Sequence, residues 1–250
     1  MTTTATPIEQ VPAIDHTEAR VLAAVENERF VELVTSLSAD DWSRQTECPA
    51  WDVKAVTCHV LGAMEGHVSI PQFIHQVRAG KKAAGDRPDV DGMTEVQVRE
   101  RVQLDQAQIT ALLSDLAPRA ARARTRLPGI VRRIKMKVEV DKVMEPWRLG
   151  YLFDVILTRD TWMHRIDISR ATGRPLLQTG EHDGRIVADV VAEWASRHGR
   201  PFTLRLEGPA GGHYNSGSHG EDITIDAVEF CRTVSGRAAG DGLLGQQVPF

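Results

Sequence analysis

Asp160 and His164 stand four residues apart in the run Thr158-Arg-Asp-Thr-Trp-Met-His164-Arg-Ile-Asp167. If that run is helical, the two side chains lie about 40° from alignment and project toward one point, with Asp167 extending the same face by a turn. A carboxylate and an imidazole so placed are two ligands of an open, three-ligand zinc site, which keeps a position for water or substrate. The third ligand must come from another segment. His59, inside the apolar Cys58-His59-Val60-Leu61-Gly62, is the best candidate, because its neighbours turn it inward. The plainer alternative is that an Asp/His pair at this spacing is a surface pair and His59 a hydrogen-bonded core residue, and spacing alone leaves both open. Cys58 points about 100° away from His59 and reads as a small buried residue.

These residues need helices to hold them, and the hydrophobic period supplies candidates. Apolar residues recur at helical spacing over 16–37, 53–69, 94–116, 150–172 and 182–198. Asp52 is placed to cap the second helix, Thr94-x-x-Gln97 to open the third, and Pro118 to stop it. Gly173 and Gly199, each followed two residues on by proline, close the last two. Gly80 to Gly92 reads as a linker, 119–150 has no clear assignment, and no strand is expected before Pro201. Beyond it, 202–207 and 221–226 alternate with period two and read as a hairpin joined by a glycine-rich connection at 208–220, with a short helix from Asp226 to Gly236. The expected organisation is a loose tail at 1–14, a helical bundle at 15–199 and a small α+β segment at 200–250.

A chain of 250 residues with three cysteines and no Cys-x-x-Cys spacing has length enough for a core and no basis for a disulfide framework. A net charge of −4 argues against nucleic acid as a partner. Neither a signal peptide nor a membrane-spanning run is evident, so a cytoplasmic location is expected. Residues 119–137 run against the acidic whole, with Arg122, Arg124, Arg126, Arg132, Arg133 and Lys135 and no acidic residue. A solvated basic face is the commoner meaning of such a stretch; contact with an anionic substrate or membrane surface is the other. Gly208-Pro-Ala-Gly-Gly212 lacks the Gly-Lys-Ser/Thr ending of a phosphate loop and reads as a turn. Trp51 and Trp162 read as packing anchors, and Trp162, two residues before His164, could also line the pocket floor as a cofactor contact.

Two blocks carry a resemblance. Cys48-Pro-Ala-Trp51-Asp-Val-Lys-Ala-Val-Thr-Cys-His59-Val-Leu-Gly62 is similar to the Cys-Pro-Gly-Trp…His-Leu signature of the mycothiol-dependent maleylpyruvate isomerase family, among the DinB-like metal-binding bundles. The segment 158–168, with Ala171-Thr-Gly-Arg174 after it, resembles that family's second metal-binding block, and 206–212, 229–237 and 248–250 resemble its C-terminal portion. The resemblance implies a mainly α protein: an antiparallel four-helix bundle with extra helices and a small C-terminal α+β segment. It also implies one divalent metal, usually zinc, on His59, Asp160 and His164, with mycothiol as thiol cosubstrate and a small electrophilic or anionic substrate. An arginine, Arg237 or Arg232, would meet a substrate carboxylate, and Asp167 would orient His164 or a bound water.

The implied activity is isomerase or thiol S-transferase chemistry; the alternative is a non-catalytic metal- or ligand-binding bundle, associating with anionic surfaces through residues 119–137. A homodimer is compatible with either. One departure bears on the site. The family pattern has glutamate where this chain has Asp160, and aspartate sets the carboxylate back by about 1.5 Å unless the helices approach.

Overall fold

The computed structural model describes residues 4–140 and 143–250, with Thr125 described in its backbone only. The chain divides into two compact units, His16–Leu176 and Met1–Asp15 with Leu177–Phe250. This places the boundary at 176/177 rather than 199/200, so the helix expected at 182–198 joins the C-terminal segment. Of the tail expected at 1–14, residues 1–3 lie outside the described residues.

In chain order the elements are β1 Thr6–Pro7, α1 His16–Thr35, α2 Val53–Val68, α3 Ile70–Ala84, α4 Asp89–Arg99, α5 Gln106–Thr125, α6 Gly129–Arg132, β2 Lys135–Val140 and β3 Val143–Arg148. There follow α7 Leu149–Tyr151, α8 Leu157–Thr172, α9 Asp183–His198, β4 Phe202–Glu207, β5 Gly212–Ser216, β6 Glu221–Asp226 and α10 Ala227–Val234. The fold is mainly helical with a small sheet part.

In the first unit, α1, α2, α5 and α8 form the four-helix core, α1 and α2 each packing on α5 and α8. Phe30, Val34, Val53, Val56, Leu61, Met64, Ile109, Leu113, Ala120 and Ile168 fill its centre. The apolar stripe of α1 repeats at three and four residues, which is why it buries one face and leaves the other in water. Asp52 starts α2 by accepting from the Ala55 amide at 2.8 Å. The capping box that starts α5 is Asp105 with Gln108, not Thr94 with Gln97: Asp105 Oδ1 accepts from the Gln108 amide at 2.8 Å, and Gln108 Oε1 from the Asp105 amide at 2.9 Å.

Three expectations fail here for identifiable reasons. Residues 80–92 are not a linker. They end α3 and begin α4, and Gly80 and Gly92 let the two helices touch: a Cβ on Gly92 would lie 2.1 Å from the Gly80 carbonyl oxygen. Pro118 does not stop α5, because Ala117, Ala120, Ala121 and Arg124 carry the buried face on past it. A strand pair also precedes Pro201. β2 and β3 form an antiparallel hairpin with Met136 opposite Trp147 and Val138 opposite Glu145, a pattern diluted in sequence by lysines on the exposed edge.

The second unit holds a four-stranded sheet in the order β1-β5-β4-β6. β4 and β6 are not a hairpin. They run parallel, and the antiparallel partner of β4 is β5, inside the stretch expected to be a mere connection. Gly208, at φ 87°, makes the tight turn between β4 and β5, with the Gly211 amide bonded to its carbonyl at 3.0 Å. β5 escapes notice because only Tyr214 of its five residues is buried. The tail is not wholly loose either: Thr6 and Pro7 pair in parallel with Tyr214 and Asn215. Trp194 of α9 anchors this core between Phe202 and Phe230, with ring centroids at 4.9 and 5.4 Å, and its indole N–H donates to the Leu243 carbonyl at 2.9 Å.

Among the described residues, no helix is long and apolar enough to cross a membrane. The basic stretch 119–137 is not one solvated face. Arg119, Arg122, Arg126, Arg133, Lys135 and Lys137 are exposed, but Arg124 is buried and Arg132 is bound to Asp154.

Candidate metal centre

The site lies in the first unit, between α2 and α8. α2 brings His59 inward from its second turn, where Val56, Val60 and Leu61 lock the helix face into the core. α8 continues from a π turn at Leu152–Ile156, a local rewinding that resets which face of the helix looks inward. Asp160 and His164 then stand one turn apart on that face. His59 Nε2 lies 3.4 Å from Asp160 Oδ2, and His164 Nε2 lies 3.4 Å from Asp160 Oδ1. The shorter carboxylate therefore reaches both imidazoles.

The tautomers follow from what the other ring nitrogens meet. His164 Nδ1 lies 2.9 Å from Asp167 Oδ2, and a carboxylate accepts only, so Nδ1 carries the proton. His59 Nδ1 donates to Gln97 Oε1 at 2.8 Å; Gln97 Nε2 donates to Gln76 Oε1 at 3.0 Å, and Gln76 Nε2 to the Gly62 carbonyl at 2.7 Å. This amide relay is anchored on a backbone oxygen, which fixes each amide's orientation. Both Nε2 atoms thus present lone pairs toward a carboxylate.

Three acceptors facing one another are unfavourable without a positive charge between them. A proton is one answer. Burial opposes the charged form of Asp160, but His164 and His59 outweigh it and hold the carboxyl well below its ordinary value. Burial likewise opposes charge on His164, which Asp160 and Asp167 overcome, raising it well above an ordinary histidine. A cation is the other answer. The donor atoms of His59, Asp160 and His164 all lie within 4.8 Å of one another. Zinc bonds of about 2.0–2.1 Å in tetrahedral array put neighbouring ligand atoms about 3.3 Å apart, close to the carboxylate-to-imidazole spacing seen here. Two neutral imidazoles and one carboxylate, with both rings held from behind, suit such an ion.

Trp51 closes one side, its ring centroid 5.1 Å from that of His59 and 6.1 Å from that of His164. The turn Cys48-Pro-Ala-Trp51 sets it there, with the Trp51 amide on the Cys48 carbonyl at 2.9 Å and Thr46 Oγ1 donating to the Trp51 carbonyl at 2.6 Å. Cys48 Sγ lies 3.6 Å from Asp167 Oδ2. Cys48, His164 and Asp167 make a second group with ligand-like spacing, in which Asp167 is the carboxylate already holding His164 Nδ1.

The remaining sequence candidates do not join this cluster within the first unit. Trp162 is fully buried; two helical positions from His164 is about 200° around the axis, so the indole beside the imidazoles is Trp51. Arg232 and Arg237 belong to the second unit, Arg232 buried on α10 and bonded to Glu229, Arg237 half-buried with Nη1 3.4 Å from Ser235 Oγ. Sequence reasoning missed Gln97 and Gln76, for which no local signal exists, since α4 carries Gln97 to His59 only after the α3–α4 pair has packed.

Residues 23–169 match the family described as the mycothiol maleylpyruvate isomerase N-terminal domain. The chain belongs to this family. The matched span runs from α1 through most of α8 and includes His59, Asp160 and His164. Crystal structures of a mycothiol-dependent maleylpyruvate isomerase and of its histidine-to-alanine mutant share the fold. The first is 14% identical with a TM-score of 0.58, covering 95% of this chain and 94% of that one. The second is 11% identical with a TM-score of 0.57, covering 94% and 93%. No protein of curated function matches the sequence.

Proposed function

We propose that this protein is a metal-dependent, mycothiol-using enzyme that isomerises a cis-configured unsaturated oxo acid of the maleylpyruvate type. One observation carries the reading: the lone pairs of His59 and His164 converge on the two oxygens of Asp160, with both rings locked from behind. A divalent ion held there, zinc first among candidates, would supply one thing, a thiol kept as thiolate near neutral pH. His59, Asp160 and His164 hold the ion, while Gln97 and Asp167 keep the rings turned toward it. Trp51 shields one side from water, which strengthens every charge interaction inside.

In this reading the thiolate sulfur bonds to one alkene carbon, and the electron pair of the double bond moves into the conjugated carbonyl. Rotation about the resulting single bond and return of the pair expel the thiolate and leave the trans double bond. Nothing is oxidised or reduced, and the thiol is regenerated.

Metal analysis and turnover test the reading. The purified protein should carry about one divalent ion per chain, and His164→Ala should lose it. With mycothiol and maleylpyruvate, the trans isomer should appear by proton NMR. Retention of metal in His164→Ala would remove the ligand assignment; a persistent thioether in place of the trans acid would make the protein an S-transferase.

A further inference from the structure

Arg124 is 3% exposed, yet its guanidinium meets only neutral oxygens. Nη1 donates to Thr158 Oγ1 at 3.0 Å and Nη2 to the Leu157 carbonyl at 3.3 Å, an oxygen that already accepts from Thr161 Oγ1 at 3.0 Å. Nε is buried with no acceptor. Among the described residues no carboxylate pairs with it. Both oxygens of Asp154 are taken by Arg132, with His16 Nδ1 also on Oδ1 at 3.2 Å, and both oxygens of Asp160 face the two imidazoles. Asp160 and Asp154 act on Arg124 only at a distance, so burying its guanidinium without a carboxylate in hydrogen-bond contact is costly.

A second unsatisfied group lies near by. His67 Nδ1 is buried without a hydrogen-bond partner, and its ring stands 5.8 Å from that of Phe153. His59 meets Asp160 while His67 meets Phe153, so numbers rise along α2 as they fall along α8. The two helices are antiparallel, and Arg124, reaching Leu157 and Thr158 from α5, sits between those levels. At 1.5 Å per residue, this places the Arg124 contacts and Phe153 about 3–10 Å along the α8 axis from Asp160. Burial draws Arg124 down to about 10, which still leaves it charged at neutral pH. Burial, reinforced by Arg124, holds His67 well below an ordinary histidine, so the ring is neutral and retains one N–H to donate.

We infer that Arg124 and His67 form a carboxylate-binding subsite beside the α2–α8 pair, Arg124 within one turn and His67 about two turns from the candidate metal ligands, able to take the far end of a short unsaturated dicarboxylic or oxo acid. The inference rests on the proposed function for the identity of the acid but not for the subsite itself. Arg124 offers the free Nε–H, and neutral His67 a donor that costs no added charge.

Maleate and its uncharged dimethyl ester are the probes, measured by calorimetry on zinc-loaded protein with metal content assayed alongside. Maleate should bind the wild type, and Arg124→Gln should weaken it by roughly tenfold to a hundredfold at unchanged metal content, with the ester indifferent to the change. Equal maleate affinity in Arg124→Gln, or no binding by the wild type, overturns the inference. Should that variant fail to fold, the wild type decides by itself. With 15N-histidine labelling, the His67 ring signal, assigned by its loss in His67→Gln, should move on addition of maleate; an unmoved signal means that maleate does not reach His67, and the subsite is gone. A chain that takes up no metal yet shows the His67 response would sink the proposed reaction and leave the subsite standing.

Discussion

His164 and Asp167 are joined across one turn of α8 by a 2.9 Å contact between Nδ1 and Oδ2. This contact decides which imidazole nitrogen faces Asp160. Asp167→Asn keeps the volume but offers an amide whose nitrogen donates, so His164 can turn its proton the other way and present N–H instead of a lone pair. Zinc affinity should fall by about 10–100-fold while the helical circular dichroism is unchanged. Competition against a chromophoric chelator measures it, and unaltered affinity would show that the ring is oriented by packing alone.

The same logic applies to His59, with a different discriminating pair. Both Gln97→Glu and Gln97→Leu remove the Nε2 donor that Gln76 Oε1 accepts from at 3.0 Å, but only glutamate keeps an oxygen for His59 Nδ1–H. The leucine variant should lose about tenfold in metal affinity and the glutamate variant should stay near wild type. If both behave alike, the amide relay has no part in presenting the ring.

How much of this could be read from residues alone depends on how local the cause is. The Asp160/His164 face follows from the helical period, and α2 from Asp52 and the apolar run behind it. Apolar neighbours point to His59 among nine histidines, and the resemblance adds its weight. Gln97 and Arg124 reach their partners from helices whose packing no local pattern encodes; Arg124 sits in a run of basic residues that looks uniformly solvated. β5 is hidden for the opposite reason: it has a turn signal on each side but one buried residue, so period two never emerges. Gly80 and Gly92 carry the same lesson, since glycine marks both a linker and a close helix crossing.

The cysteines should separate by reactivity. Burial pushes the Cys58 thiol up to about 11, and the side chain is fully buried, so it is neither ionised nor reachable at pH 8. Cys231 is buried as well, whereas Cys48 is half-buried beside Asp167. Iodoacetamide on the folded protein should therefore alkylate Cys48 alone, and peptide mass mapping reads the result. Modification of Cys58 before unfolding would mean that the α2 face opens in solution.

Acid stability should have an identifiable contributor. Hydrogen bonds from Arg174, then from Ser38, hold Asp41 down at about 2 against an ordinary 3.8. Arg174 Nη2 lies 2.7 Å from Asp41 Oδ2, which also accepts from the Ser38 amide at 2.9 Å. A carboxyl whose folded value is depressed stabilises the fold above its unfolded value, and that contribution disappears as pH falls from about 3.8 toward 2. Asp41→Asn should lower the melting temperature at pH 6 and flatten its decline over this acid window. An identical slope in wild type and variant would assign the acid loss to other carboxylates.

The α3–α4 pair gives the sharpest mechanical test, because backbone rather than a movable side chain blocks its glycine. A Cβ at position 92 would come within 2.1 Å of the Gly80 carbonyl and 2.5 Å of the Ala84 amide nitrogen. Gly92→Ala must therefore push the helices apart, costing about 1–3 kcal/mol of stability, measured by urea unfolding. Gly129→Ala meets nothing within 4 Å and serves as the control. Since α4 carries Gln97, the strain should also reach the candidate metal site, with weaker zinc binding in Gly92→Ala than in the control. Loss of stability with full zinc affinity would show that α4 tolerates displacement without moving the amide that holds His59.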